Sequence, residues 1–267
     1  MSTITPQADT AAHRVVSDAN WTEQRRKLLE REKELTRLHD QVASERRALP
    51  WRRITKPYLF DTPDGPRTLA QLFGDRRQLV LQHFMFGPGW EQGCPSCSYM
   101  ADHTDGMTIH LAHRDIGFVA VSRAPLPDLL RFRERMGWKF DWVSSAPSDF
   151  NFDFGVSFTQ EELATGEVLY NYRKGYFPAE EAPGISVFFR DDAGDVFHTY
   201  STFGRGVEAM MGAYVLMDLT PKGRDERDVF YKMEWVRHHD RYEPGRAFEP
   251  APEKVAVPVA ACPHCEA

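Results

Sequence analysis

The sequence predicts an α/β protein on a central mixed sheet, and three features predict it. Leu79 to Phe86 is short, apolar and bounded by polar residues and glycine, the pattern of a buried central strand. Helical and strand-like segments then alternate as far as Val143, with crossovers long enough for parallel pairing. Finally, Ile185 to Phe189 and Val196 to Tyr200 flank the turn Asp191-Asp192-Ala193-Gly194, which reads as an antiparallel hairpin. Helices on both faces of such a sheet give three layers.

Residues 1–19 read as a flexible polar leader. Residues 20–49 read as a long charged helix, with Asn20 as N-cap and Glu23 completing a capping box. Trp21, Leu28, Leu35, Val42 and Leu49 recur every seven residues, but Leu38 is the only good apolar residue for a second seam. A coiled coil needs both seams filled. A surface helix with one narrow apolar stripe is therefore the simpler expectation, and packing across a homodimer partner is the other. Pro50 closes the element, and residues 50–249 form the main domain.

Tyr58 to Phe60 suggests a short strand before a turn at Thr62-Pro63-Asp64-Gly65, with helical turns at Leu69 to Phe73. After the central strand, Tyr99 to Leu111 fits a helix burying one side, and Ile116 to Val121 the next strand. Pro127 suits the first turn of a helix that Gly137 ends, and Phe140 to Val143 makes another strand. Residues 144–182 break this rhythm with many aromatics among turn-formers, which marks an insertion packed on the core whose aromatics could line a cleft. Thr159-Gln160-Glu161-Glu162 could start a short helix there. Val207 to Leu219 reads as one apolar helix, and residues 250–267 as a loose Pro/Ala-rich tail.

Lys plus Arg number 33 against 39 Asp plus Glu, a net charge of -6, so no global attraction to nucleic acid or anionic membrane is expected. The N-terminus lacks the apolar run of a secretory signal, and no segment is apolar enough to span a bilayer. A cytoplasmic location follows, where cysteines stay reduced unless they cycle.

All four cysteines fall in Cys-x-x-Cys pairs, Cys94/Cys97 and Cys262/Cys265. The first pair lies between the central strand and a helix, the setting of a dithiol redox centre. On a first helical turn two sulfurs can approach closely, and unpaired N–H groups favour a thiolate on the first. Pro95 disfavours helical geometry at Cys94 while fitting the first turn itself. Cys94 is thus the expected nucleophile and Cys97 the resolving thiol, through a mixed disulfide. Trp90 and Glu91 are close enough in sequence to influence Cys94, and Glu91 would raise its pKa if it approached the sulfur. His83, on the predicted central strand, is either core or a proton acceptor near the site.

The strand, the CPSC sequence and the helix–strand–helix continuation resemble the thioredoxin superfamily. More closely, residues from about Trp21 through Tyr242 resemble the bacterial thioredoxin-like family of unknown function DUF899. That resemblance rests on the charged leading helix and on HFMFGPGWEQGCPSCSYMAD, SRAPLPDLLRFRERMGWKFDWVSS, DFNFDFGV, PGISVFFRDDAGDVFHTYSTFGRG and WVRHHDRY. It implies a dithiol–disulfide oxidoreductase, with Cys94 and Cys97 matching the attacking and resolving positions. Pro183 occupies a place comparable to the cis-proline of thioredoxins, although Gly184 intervenes; a trans proline in a turn is the alternative.

Cys262 and Cys265 could exchange electrons with Cys94/Cys97, hold structural zinc together with them, or do neither. His103 and His110 share a helix face without making a compact ligand pair, and His238-His239-Asp240 reads as a polar surface or hydrogen-bonding cluster, not a catalytic triad. Glycine-rich loops match neither a Walker motif nor a dinucleotide fingerprint, so no cofactor is expected. The candidate activities are thiol–disulfide exchange with a protein or small-molecule partner and, alternatively, peroxiredoxin-like thiol peroxidation. A non-enzymatic binding or dimerisation module is the third reading.

Overall fold

The computed structural model describes residues 13–227 and 229–243, and the chain divides into two units at Leu49/Pro50. Helix α1 (Asp18–Arg47) makes up most of the described part of the first unit. Its N-cap is Ser17, not Asn20: extended Ser17 places its Oγ to accept from the Asn20 N–H at 3.4 Å. Glu23 consequently lies beyond the first turn and pairs with Lys27 at 2.8 Å.

In the second unit six strands form one sheet: β1 (Arg52–Arg53), β4 (Gln78–His83), β5 (Ile116–Ser122), β6 (Asp141–Ser144), β9 (Gly184–Arg190) and β10 (Val196–Phe203). Their order across it is β1-β10-β9-β4-β5-β6. β4, β5 and β6 run parallel, β9 lies antiparallel beside β4, and β10 lies antiparallel on the far side of β9. Two small hairpins stand apart, β2 (Leu59–Phe60) with β3 (Arg67–Thr68) and β7 (Val168–Tyr170) with β8 (Arg173–Gly175). The mixed sheet is thus as the hydrophobic pattern predicts, with β1 added at the edge where Arg52 pairs with His198.

Alternation along β4 separates the layers. Leu79 and Leu81 join Phe60, Phe73, Val119, Val121, Phe150 and Phe188 on one face. On the other face Phe118, Ala120 and Trp142 pack with residues of α2 (Pro95–Thr104) and α4 (Leu126–Met136). Burying Leu79 and Leu81 completely contributes about 1.5–3 kcal/mol each.

Two predicted helices are broken. The segment after α2 passes through a 3-10 turn at Asp105–Met107 before α3 (Thr108–Ala112). Gly106 weakens the helix there, and the Asp105 carboxylate is turned to the Lys139 and Phe140 N–H groups at 2.7 and 3.0 Å. Likewise Gly204–Met210 is a 3-10 helix, and α7 (Gly212–Asp218) begins afresh where His103 Nε2 accepts from the Ala213 N–H at 3.0 Å.

The insertion contains α5 (Phe150–Asp153), α6 (Gln160–Ala164), the short helix expected from Thr159 onward and closed by a Thr159/Glu162 capping box, and the β7–β8 hairpin. That hairpin is hidden in the sequence because both its turn residues, Asn171 and Tyr172, adopt positive φ without a glycine. Tyr172 is held there by its hydroxyl, which donates to the Ser201 carbonyl at 3.1 Å. Among the described residues no helix is long and apolar enough to cross a membrane.

Candidate functional site

Cys94 is the N-cap of α2, with Pro95 at the first helical position. Pro95 lacks the N–H that would be orphaned there, and its fixed φ starts the helix without strain. The Cys94 N–H donates to Met85 O at 3.0 Å and its carbonyl accepts from Ser98 N–H at 3.0 Å and Ser98 Oγ at 2.9 Å, so the residue is held on both sides. Gly93 is required before it, since a Cβ would lie 2.6 Å from the Phe84 ring.

Both thiols are free; Cys94 is half-buried and Cys97 buried. A hydrogen bond from Cys97 holds the Cys94 thiol down at about 7 despite burial, with the Cys97 and Ser96 N–H groups adding to it. The same pairing, with burial, pushes Cys97 up, and the Met85 N–H reaches its Sγ at 3.5 Å. One sulfur is therefore ionised near neutrality, and its neighbour one turn on keeps its proton. That is the charge state required of an attacking thiolate and a waiting thiol.

Cys94, Pro95 and Cys97 open on a cavity of about 820 Å³. Met85 and Trp90 from the cysteine loop, Tyr170, Phe177 and Pro183 from the insertion and its exit, and Val207, Met211 and Met233 from the C-terminal part share its wall. Trp90 donates from Nε1 to Glu180 at 3.3 Å, tying the loop to the insertion. Glu91, by contrast, is exposed and stands outside the cavity wall, so its proximity in sequence does not become proximity to the sulfur. All described peptide bonds are trans, that of Pro183 included, and the Pro183 carbonyl accepts from Tyr170 Oη at 2.7 Å. His83 falls on the sheet face away from α2, because it shares the parity of Leu79 and Leu81; it stacks on Phe150 and is not part of the cysteine site. Cys262 and Cys265 lie outside the described residues. Among the described residues no group of three His, Cys, Asp or Glu could hold a metal ion.

Sequence reasoning marked His238-His239-Asp240 but not its contact with the cysteine loop, and it missed Glu226 altogether. Buried His238 donates from Nε2 to the Gly93 carbonyl at 2.8 Å, immediately before Cys94. Its Nδ1 accepts from Arg135 at 3.3 Å, and Arg135 is gripped by both Asp240 oxygens at 2.8 Å. The predicted His238-His239-Asp240 cluster is therefore a clamp on the cysteine loop and on α2, where His239 Nδ1 meets Asp102 at 2.7 Å. Glu226 is a second hub: one oxygen accepts from Tyr214 Oη, the Met233 N–H and Trp235 Nε1 at 2.6–2.9 Å, which fixes the C-terminal wall of the cavity. The partners of His238 are more than 100 residues away, and those of Glu226 lie within 12 residues but in no helix or strand period that would announce them.

A third support is the ion pair of Arg123 with Glu181, 2.6 Å from Nε to Oε1, with Ser157 Oγ donating to the other carboxylate oxygen at 2.6 Å. Glu181 is 1% exposed and burial raises its pKa against the pull of Arg123. Glu181→Gln keeps the shape but leaves the Arg123 charge against a neutral amide. It is expected to lose about 2 kcal/mol in urea unfolding, and a loss under about 0.5 kcal/mol would count against this support.

A family model described as a bacterial protein of unknown function, DUF899, matches residues 10–242. The chain belongs to this family. This DUF899 protein has a thioredoxin-like fold, in which the cysteine pair follows the central strand and the terminal hairpin lies beside it. No curated protein matches the chain. Among solved structures it is similar to the peroxidoxin BcpB from Mycobacterium tuberculosis, with 16% identity, 59% of this chain and 93% of that chain covered, and a TM-score of 0.41. It is also similar to a peroxiredoxin Q from Xanthomonas campestris, with 13% identity, 58% and 87% covered, and a TM-score of 0.40. A putative thiol:disulfide interchange protein DsbE from Chlorobium tepidum is similar at 15% identity, with 63% and 97% covered and a TM-score of 0.36.

Proposed function

We propose that this protein is a dithiol-dependent reductase in which Cys94 attacks and Cys97 resolves. The observation that carries the reading is the asymmetric thiol pair: Cys94 is lowered to about 7 by a hydrogen bond from Cys97, which is itself raised. In thiol–disulfide exchange the Cys94 thiolate displaces one sulfur of a substrate disulfide, giving a mixed disulfide and a released thiol. Cys97 then attacks Cys94, which releases the second substrate thiol and leaves Cys94–Cys97 oxidised.

Peroxide reduction is a second reading, and the position of the sulfur favours it. Cys94 is half-buried in a cavity wall, where a small electrophile has easier access than a protein surface. The thiolate would take the terminal oxygen of a hydroperoxide, releasing an alcohol and leaving a sulfenic acid. Cys97 would condense with it, releasing water and forming the same disulfide.

Pre-reduced protein, freed of excess reductant, is mixed in parallel with a small organic disulfide and an organic hydroperoxide. With Cys262 and Cys265 replaced by serine, the chain is expected to consume at least one of them rapidly, up to one equivalent, and the same chain with Cys94→Ser is expected to lose that rapid phase. The faster substrate selects between the two readings, and consumption of neither refutes both.

A further inference from the structure

We infer that the electrophile reduced by this protein is a small organic molecule with an extended apolar body, taken up in the cavity beside Cys94. This rests on the reading that Cys94 attacks, and adds what the substrate must look like. The cavity, about 820 Å³, lies near the upper end of the range of about 300–1,000 Å³ that holds drug-sized molecules. Hydrogen peroxide or a bare thiol would leave most of that wall untouched.

The character of the wall follows from its residues. Met85, Phe177, Val207, Met211 and Met233 face the same space as Cys94. Phe230 joins them although it is 66% exposed, a large apolar side chain at the cavity with most of its surface uncovered. With Met100, four flexible thioethers let such a wall fit bodies of differing shape. Of the charged wall residues, Arg224 is paired with Glu208 and Asp218 at 2.8 Å, Arg205 with Glu208 at 2.9 Å, and Glu226 already accepts from three donors, while Lys232 is exposed. Apolar residues make up most of the wall, so selection rests mainly on apolar area.

The chemistry balances without an outside group in this half-reaction. A hydroperoxide ROOH and the two thiols give ROH, water and the Cys94–Cys97 disulfide. A disulfide RSSR and the two thiols give two RSH and the same protein disulfide. In either case R is the apolar body and two electrons leave the thiol pair.

The test uses the reduced full chain and a series of straight-chain primary alcohols, unreactive mimics of the apolar body. Binding is measured by calorimetry, and protection of Cys94 by the rate of its alkylation with iodoacetamide. Affinity is expected to rise about fourfold per added methylene until the cavity is full. The longer alcohols should also slow Cys94 alkylation with the same half-saturation. Affinity independent of chain length, or binding that leaves the alkylation rate unchanged, would overturn the inference. Chain-length-dependent binding to a protein whose Cys94 consumes neither electrophile would instead remove the proposed reductase activity and leave the apolar site standing. Rapid reduction of hydrogen peroxide with no alcohol binding would do the reverse.

Discussion

Alkylation of Cys94 in the reduced protein is expected to be half-maximal near pH 7, and Cys97→Ala is expected to move that midpoint up toward the ordinary thiol range. The Cys97 hydrogen bond is the largest influence lowering Cys94, ahead of the opposing effect of burial and of the two helix N–H groups. Removing it leaves burial unopposed by its main competitor. The thiolate fraction at pH 7 then falls from about half to a few per cent, and alkylation at that pH slows about tenfold. The sign is fixed: the anion is the reactive form, so raising the pKa moves reactivity to higher pH. A Cys97→Ala protein alkylated as fast as wild type at pH 7 would show that the helix terminus alone activates Cys94. The same variant should also retain its first substrate fragment on Cys94, for want of a resolving thiol.

Acid is expected to destabilise the protein between about pH 7 and pH 5, above the range in which ordinary carboxylates titrate. The cause lies behind the sheet. His198 Nε2 donates to the Tyr200 carbonyl at 3.0 Å and to Ser201 Oγ at 2.6 Å. Ser201 and Ser186 hydroxyls are 2.8 Å apart, and Ser186 Oγ lies 2.8 Å from His83 Nε2. Because the Tyr200 carbonyl can only accept, His198 must donate, and the chain runs one way, ending with Ser186 donating to a neutral His83. Protonating His83 would oppose a donor to a donor.

Burial pushes His83 down to about 3, and burial with the Arg52 charge pushes His198 down to about 4. Unfolded, both titrate near 6.5, so between 6.5 and about 4 the unfolded chain binds more protons than the native one and stability falls with falling pH. By about pH 5 each histidine contributes about 2 kcal/mol to that fall. Urea unfolding at pH 7 and pH 5 measures it. His198→Asn, which keeps a donor toward Ser201, should remove about half of the difference. Equal stability at the two pH values would contradict the assignment of neutral, buried histidines.

The central sheet is legible because period and composition agree there: Leu79 to Leu81 is apolar on both faces, and Ile185 to Phe189 is followed by a plain turn. CPSC is legible for a different reason, since Cys, Pro and Cys impose their own local geometry. What stays hidden depends on tertiary contacts. The break at Asp105 exists because its carboxylate serves the backbone of Lys139 and Phe140, and the cap at Ser17 because one serine outcompetes an asparagine three residues on. Glu91 misleads because adjacency in a loop says nothing about direction, whereas for His83 strand parity decides between the two readings in favour of the core. The aromatic density of residues 144–182 does suggest a cleft, and Tyr170 and Phe177 line it. Its opposite wall, Val207 to Met233, reads as ordinary helix and charged loop, because the bonds that shape it converge on Glu226 from Tyr214 on one side and from Met233 and Trp235 on the other, in no regular period.

The most direct measurement is to expose fully reduced protein to one equivalent of electrophile, block the remaining thiols, and map the sulfur links by mass spectrometry. A Cys94–Cys97 disulfide, formed through a transient adduct on Cys94, is the predicted result. Both cysteines recovered as blocked free thiols, or an adduct found first on Cys97, would contradict it.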